Sequence, residues 1–217
     1  MINDEFIPVT FSREILQEMG LQDERIIKIP SNWDYEGKKF KSVKIDDKTF
    51  YNFNNLEKVI LPDSIEDIGI SAFAFCSSLE EIKLPQNIKR IRQYTFDSCT
   101  SLEKIIIPEG VEVIEKNAFW QCKNLKKVIL PKTLEIIQDN AFLSCNNLEI
   151  IIPENVKKIG YKAFGYVQSI YYNGVAKGAP WGAYNYYDYY PYIENEEENP
   201  NAHEDQDIFS FFKSLFD

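Results

Sequence analysis

The chain has 217 residues, a net charge of −10 and a hydrophobic content of 44%, which is ordinary for a soluble protein with a buried core. Nucleic-acid-binding proteins hold the phosphate backbone mainly with clustered Lys and Arg, so the acidic balance argues against a DNA or RNA partner. No apolar run approaches the ~18 residues that a helix needs to cross a bilayer, so we expect no membrane span.

Residues 1–25 are predicted to form a helical cap. Ser12 or Thr10 can cap a short helix, and Gly20 can end it in the left-handed conformation. One side of this helix is apolar and carries Ile15, Leu16 and Met19. The segment lacks the basic start and continuous apolar core of a signal peptide. We therefore expect a cytoplasmic protein if Met1 is the native start, and a cell-surface or secreted protein if the chain is trimmed.

The next segment, residues 26–43, is predicted to contain a short apolar strand and a hairpin. The strand ends in Ile29-Pro30, and two further runs flank Glu36-Gly37-Lys38, which is typical of a tight turn. The first unit of a stacked array has an unpaired edge and an exposed apolar layer, so it needs a cover. Three aromatic side chains are expected to supply it, namely Trp33, Tyr35 and Phe40.

The central part of the chain repeats with a period of 23 residues. The period is carried by Leu56, Leu79, Leu102, Leu125 and Leu148, by Pro62, Pro85, Pro108 and Pro131, and by Cys76, Cys99, Cys122 and Cys145. A period of about 20–29 residues is typical of a leucine-rich solenoid, in which each repeat buries its apolar side against its neighbours. We therefore predict one solenoid domain over residues 26–173, including the hairpin.

Each repeat divides into a strand half and a second half on the opposite side. Alternation such as that of Ile82 and Leu84 predicts a short strand with one buried face, ended by the following proline. In the second half, apolar residues at spacings of three and four favour a short helix or a turn. The sequence thus predicts an α/β solenoid, a right-handed coil with short parallel strands on its concave face and short helices or turns on its convex face.

The regular array ends after the repeat that begins at Leu148, where Val167 takes the cysteine position. Residues 169–174 are predicted to form a last strand and turn. Residues 174–193 contain six tyrosines between positions 184 and 192 and are predicted to be an aromatic C-terminal cap, with a binding platform as the alternative. Residues 194–217 are predicted to be an acidic linker and an amphipathic tail.

The repeat pattern LPxxIxxIxxxAFxxC resembles the BspA-type, or Treponema pallidum-type, leucine-rich repeat family. Period, proline, Ala-Phe and cysteine recur together, and the resemblance covers about residues 26–183. The flanking segments KIPSNWDYEGKKFKSV and SIYYNG also resemble the ends of such arrays in bacterial proteins. The resemblance implies surface-exposed recognition and adhesion in bacteria and parasitic protists, and it implies no catalytic residues.

The cysteines and the single histidine do not indicate a metal site or a catalytic centre. The cysteines are 23 residues apart and so lack the close spacing of zinc ligand pairs. Parallel side chains in a packed row rarely reach the dihedral angle of a disulfide, so we expect buried free thiols. His203 lies in the acidic run, without a rigid shell to position it as a base. We predict that the protein is not an enzyme and has no cofactor or metal.

The strand residues that point away from the core are the candidates for a binding site. Two per repeat are expected to lie together on the concave sheet, namely Lys58, Ile60, Glu81, Lys83, Lys104, Ile106, Lys127 and Ile129. Apolar side chains rimmed by charge are common at interaction sites. Isoleucine also has a high β-propensity, so its presence on an exposed strand is compatible with a purely structural role.

These observations predict a non-enzymatic module for protein–protein recognition, which binds a protein or peptide ligand on its concave face. The alternative is a bacterial surface adhesin that binds a host matrix protein or a glycan. The last residues, 208–217, place Ile208, Phe211, Phe212 and Leu215 on one helical face. This tail is expected to dock on the solenoid, to contact another protein or a membrane, or to mediate self-association.

Overall fold

The computed structural model describes residues 7–35 and 37–172, in which the chain forms fifteen strands and one short helix. The predictions for residues 174–193 and 194–217, including His203 and the amphipathic tail, lie outside the described residues. The predicted last strand is present as β15 (Ser169–Tyr172).

The N-terminal elements are β1 (Ile7–Phe11), α1 (Arg13–Glu18), β2 (Ile26–Lys28), β3 (Asn32–Tyr35) and β4 (Lys38–Ile45). Strands β3 and β4 form the predicted antiparallel hairpin. Strand β1, which the sequence pattern does not predict, pairs in parallel with β4, and the register shifts between Val9 and Thr10. Residues 7–18 therefore add a strand as well as a helix to the end of the solenoid.

The helix begins and ends at the predicted residues. The Ser12 hydroxyl accepts a hydrogen bond from the Ile15 amide at 3.5 Å, and Gly20 has a φ of +68°. Leu16 is fully buried, but Met19 is 49% exposed. The prediction that Met19 lies on the apolar side of the helix with Leu16 is therefore wrong.

Aromatic residues cover the first layer of the core, as predicted. The Trp33 ring stacks on Phe40 with 5.8 Å between centroids and meets the buried Phe11 edge-to-face at 6.4 Å. Offset and edge-to-face arrangements suit the charge distribution of aromatic rings. The Tyr35 side chain lies outside the described residues.

Each repeat contributes one strand to a concave row and one to a second row. The concave row continues from β2 through β5 (Lys58–Ile60), β7 (Glu81–Lys83), β9 (Lys104–Ile106), β11 (Lys127–Ile129), β13 (Glu149–Ile152) and β15. The second row, which the sequence does not predict, contains β6 (Asp67–Ile68), β8 (Arg90–Ile91), β10 (Val113–Ile114), β12 (Ile136–Ile137) and β14 (Lys158–Ile159). Every strand pair within these rows is parallel.

The convex side is built from turns rather than helices in the described repeats. We call the stretch 71–76 and its equivalents the convex corner. Each corner holds two non-glycine residues in the left-handed region, as at Ser71 (φ 55°) and Phe75 (φ 62°), and such residues interrupt a helix. Successive corners stack through backbone hydrogen bonds, for example from the Phe73 amide to the Thr95 carbonyl at 2.9 Å.

Two columns of side chains run along the core beneath the corners. The first is a row of stacked phenylalanines whose neighbouring rings lie 4.9–5.5 Å apart, namely Phe50, Phe73, Phe96, Phe119, Phe142 and Phe164. The second contains the four cysteines, which are buried free thiols, as predicted. Each thiol donates a hydrogen bond at 3.0–3.1 Å to the carbonyl of a phenylalanine in the preceding layer. Burial raises the pKa of Cys76 to about 12.

Strand pairing divides the solenoid into two blocks. Strands β1–β7 belong to two sheets and β8–β15 to two others, and no strand ladder joins the blocks among the described residues. The chain passes from one block to the other through residues 84–89. The cysteine and phenylalanine columns and the convex corners nevertheless continue across the boundary.

Candidate protein-binding surface

The eight residues predicted from the sequence lie on one face of four neighbouring concave strands. The middle residue of each strand points inward and is buried, as for Val59 (1% exposed) and Ile105 (1%), so its neighbours point outward. The outward residues form two rows. The first row contains Lys58, Glu81, Lys104 and Lys127, and the second contains Ile60, Lys83, Ile106 and Ile129.

The concave face is longer than the sequence analysis predicts. In β2, Ile26 pairs in register with Lys58 and Lys28 pairs with Ile60, so both residues extend the rows towards the N-terminus. Glu149 pairs with Lys127, and Ile151 lies two residues further along the same strand. Residues 26–28 precede the regular period, and the signal that could identify them is the pattern Ile-Ile-Lys-Ile-Pro, which matches the strand and proline of later repeats.

Isoleucines form a continuous apolar stripe on three strands of the face. Ile106 is 53% exposed and pairs in register with Ile129, which is followed on β13 by Ile151. On the N-terminal side Lys83 separates Ile106 from Ile60, which is 40% exposed. The stripe therefore begins at β9 and lies in the block formed by β8–β15.

The charged residues of the first row differ in their neighbours. The Lys58 ammonium group forms an ion pair with the Glu81 carboxylate at 2.6 Å. Lys104 and Lys127 lie opposite each other in register, and Lys104 makes no ion pair with any residue in the described ranges. Burial, together with the nearby charge of Lys104, lowers the pKa of Lys127. Two neighbouring positive charges attract an anionic group of a ligand more strongly than one charge does.

A depression of about 800 Å³ lies between β7 and β9 and extends to β11. It brings together five of the predicted residues, Glu81, Lys83, Lys104, Ile106 and Ile129. Lys58, Ile60 and Lys127 are not among its lining residues. Inward-pointing side chains such as Ile82 and Ile105 also line it, so the depression reaches between the two strands.

The described residues contain no group of three or more His, Cys, Asp or Glu side chains arranged to hold a metal ion. Among the same residues, no helix is both long and apolar enough to cross a membrane.

Solved bacterial structures are similar to this chain. A leucine-rich repeat protein from Bacteroides ovatus is 27% identical, with 68% of this chain and 47% of that chain covered and a TM-score of 0.53. A leucine-rich cell surface protein from Faecalibacterium prausnitzii is 26% identical, with coverage of 70% and 48% and a TM-score of 0.57. The chain thus spans about half the length of these two proteins.

A leucine-rich repeat protein from Treponema pallidum shares the fold at 23% identity and a TM-score of 0.54, with coverage of 79% of this chain and 80% of that one. No curated protein matches the chain significantly. The model of the BspA-type leucine-rich repeat region matches residues 43–171 in six copies, which is more than half of the chain. Period, fold and family model agree, and the chain belongs to the BspA-type leucine-rich repeat family.

Proposed function

We propose that this chain is a non-enzymatic recognition module that binds a protein or peptide on its concave face. The observation that carries the proposal is the isoleucine stripe Ile106–Ile129–Ile151 beside the lysine pair Lys104 and Lys127. Leucine-rich repeat families commonly act as protein-interaction modules, and this family is typically non-enzymatic.

The chemistry of the face favours a ligand with apolar side chains and at least one carboxylate. Apolar groups of the ligand would cover the stripe, and burial of apolar area is worth ~25 cal/mol per Å². Burial, and to a smaller extent the charge of Lys104, lowers the pKa of Lys127, and a ligand carboxylate beside the two lysines would offset the repulsion between them. Because the strands are held by parallel ladders, little ordering entropy would be lost on binding.

The test is a double substitution in the stripe, Ile106→Glu with Ile129→Glu. Ile106 is 53% exposed and Ile129 is half-buried at the surface, so the fold should persist, as checked by circular dichroism. Partners are captured from native extract with wild-type protein and identified, and their affinities are then measured by calorimetry. A charge placed in the centre of an interface should cost ~2 kcal/mol or more, which is about 30-fold in Kd.

The matched control is Ile70→Glu, because Ile70 is 36% exposed but lies outside the concave rows. Loss of binding in the double variant together with normal binding in the control supports the concave face. Unchanged affinity in the double variant removes this face as the binding site, and equal losses in both variants indicate a general effect of added charge.

A surface adhesin that binds a host matrix protein or a glycan is the second candidate. It is favoured by one observation, the description of the similar Faecalibacterium prausnitzii structure as a cell surface protein. Protease treatment of intact cells, followed by detection of the chain, tests surface display. Binding of the purified protein to immobilised matrix proteins and glycans then tests adhesion, and failure in both assays excludes this candidate.

A further inference from the structure

The boundary between the two blocks lacks hydrogen bonds that the other repeats make in the concave row. At β11 the amides of Lys126 and Lys127 donate to the Glu103 carbonyl at 2.9 and 3.2 Å. One repeat earlier, the amides of Glu103 and Lys104 make no such bond to the carbonyl of Glu80 in the described chain. Among the strands that the structure describes, β7 therefore pairs with β5 alone and β9 with β11 alone.

The second row is interrupted at the same boundary. Further along, Glu112 donates its amide proton to the Lys89 carbonyl at 3.0 Å and Glu115 donates to Ile91 at 2.9 Å. The amides of Lys89 and Arg92 make no equivalent bonds to the repeat before them in the described chain. Two of the three backbone columns are thus open between β1–β7 and β8–β15.

The third column, the convex corner, stays closed across the boundary. Amides of Ser71, Phe73 and Phe75 donate to carbonyls of the next corner at 3.0, 2.9 and 2.7 Å. The Phe73 and Phe96 rings stack at 5.5 Å with an angle of 4°. A boundary whose backbone is hydrogen-bonded along one side and not along the other two has the geometry of a hinge, because rotation about the bonded side breaks the fewest backbone hydrogen bonds.

One ion pair spans the open side of the boundary. The Arg92 guanidinium donates to both carboxylate oxygens of Asp67, at 2.7 and 3.1 Å. The two side chains are 33% and 25% exposed, so the pair is only partly screened by water. Paired hydrogen bonds of this kind fix the relative position of the two groups. Arg92 lies just after β8 and Asp67 lies in β6, so the contact joins the two blocks.

We propose that the solenoid pivots at this boundary about the convex corner, with Arg92–Asp67 as a latch that limits the opening. The pivot changes the width of the depression between β7 and β9, which is lined by residues of both blocks. Its opening exposes inward-pointing side chains such as Ile82 and Ile105. The curvature of the concave face is therefore adjustable at one place. This motion is a property of the free protein and does not depend on the proposed ligand.

Hydrogen exchange of the full chain tests the open boundary. The amides of Lys89, Arg92, Glu103 and Lys104 should exchange at least tenfold faster than their equivalents one repeat later, which are Glu112, Glu115, Lys126 and Lys127. The corner amides of Ser71, Phe73 and Phe75 should be protected. Equal protection at the boundary and one repeat later would show continuous sheets and overturn the proposal.

Spin-label distances test the pivot itself. Labels at Lys28→Cys and Ile151→Cys lie on the concave face five strands apart, which is ~24 Å at ~4.8 Å per strand. A second pair at Asn52→Cys and Ser144→Cys lies along the corners. The native cysteines are fully buried and should remain unlabelled. The concave pair should show a distance distribution at least twice as wide as that of the corner pair.

Two arginine variants then test the latch. Arg92→Ala should widen the concave distribution further. Arg90→Ala removes an ion pair to Glu115 that lies within one block, so it should leave the distribution unchanged. Narrow distance distributions of equal width for the two label pairs would overturn the pivot. Equal effects of Arg92→Ala and Arg90→Ala would overturn the latch. Circular dichroism confirms that each variant is folded, and the exchange measurement on wild-type protein does not depend on the variants.

Discussion

Substitution of Phe96 by alanine should be among the most destabilising single changes in the solenoid. Phe96 is fully buried, and its ring stacks on Phe73 at 5.5 Å and on Phe119 at 5.3 Å, with angles of 4° and 12°. Truncation of a buried phenylalanine to alanine costs about 3–5 kcal/mol. Aromatic pairs contribute about 0.5–1.5 kcal/mol each beyond burial, and Phe96 belongs to two of them. We therefore expect a loss near the upper end of the range, about 4–5 kcal/mol.

Urea unfolding at 25 °C, followed by circular dichroism, measures this loss as a shift in the midpoint. The control is Phe75→Ala, because Phe75 belongs to the same type of corner but is 41% exposed and contacts Tyr51 edge-to-face. The control should lose less than about 1 kcal/mol, as is usual for surface substitutions. A variant Phe96→Leu keeps most of the apolar volume and should lose an intermediate amount. If Phe96→Ala and Phe75→Ala were equally destabilising, the stacked row would not be what holds neighbouring repeats together.

Three further predictions concern a close backbone approach, a buried carboxyl group and the thiols. Gly160→Ala should cost about 1–3 kcal/mol in urea unfolding, because its added Cβ would clash with the backbone amide of Asp139. Gly165→Ala should cost less, because its Cβ would clash only with the flexible end of the Leu143 side chain. Burial raises the pKa of Asp97, although its hydrogen bond from Ser98 acts in the opposite direction. The folded protein therefore loses stability as the pH rises from the pKa of Asp97 in the unfolded chain to its higher pKa in the folded protein. Asp97→Asn should raise Tm at pH 7 and leave Tm unchanged near pH 3, and equal shifts at both pH values would contradict this. The four thiols should resist a thiol reagent at pH 8 in native protein and all react in unreduced, unfolded protein, and recovery of only two would reveal a disulfide.

The period predicts most of the fold because the same side chain must recur at the same height in every repeat. The spacing of Leu79, Ile82 and Leu84 predicts that they lie in the core, and all three are buried. The left-handed residues of the convex corners were not predicted, because residues as different as Ser71, Phe75 and Lys162 adopt this conformation. Stacking of each corner on the next fixes the backbone there, and local sequence preference has little influence.

The elements that were missed depend on contacts between distant parts of the chain. Strand β1 lies outside the period and is defined by its pairing with β4, some thirty residues away. The strands of the second row are two residues long, too short for alternation to show. The open boundary between β7 and β9 has no sequence signature, because the repeats on both sides share the same consensus. Hydrogen bonds weaken steeply with donor–acceptor distance and angle, and a repeat pattern does not encode geometry at that scale.

The two halves of the concave face differ in chemistry, and the difference coincides with the boundary between the blocks. Strands β9, β11 and β13 present isoleucine at one outward position, whereas β7 presents Lys83 there. On the N-terminal side, Lys58 forms an ion pair with Glu81, whereas the isoleucine stripe and the two facing lysines, Lys104 and Lys127, lie together in the second block. In the proposed function, a ligand that covers these features is held by one hydrogen-bonded sheet. A ligand that also reaches Lys83 must cross the boundary, and its affinity then includes the free energy of setting the angle between the blocks. Because either half can change by substitution without disturbing the stacked core, we propose that specificity resides in the order of side chains along the rows and in the angle between the two sheets.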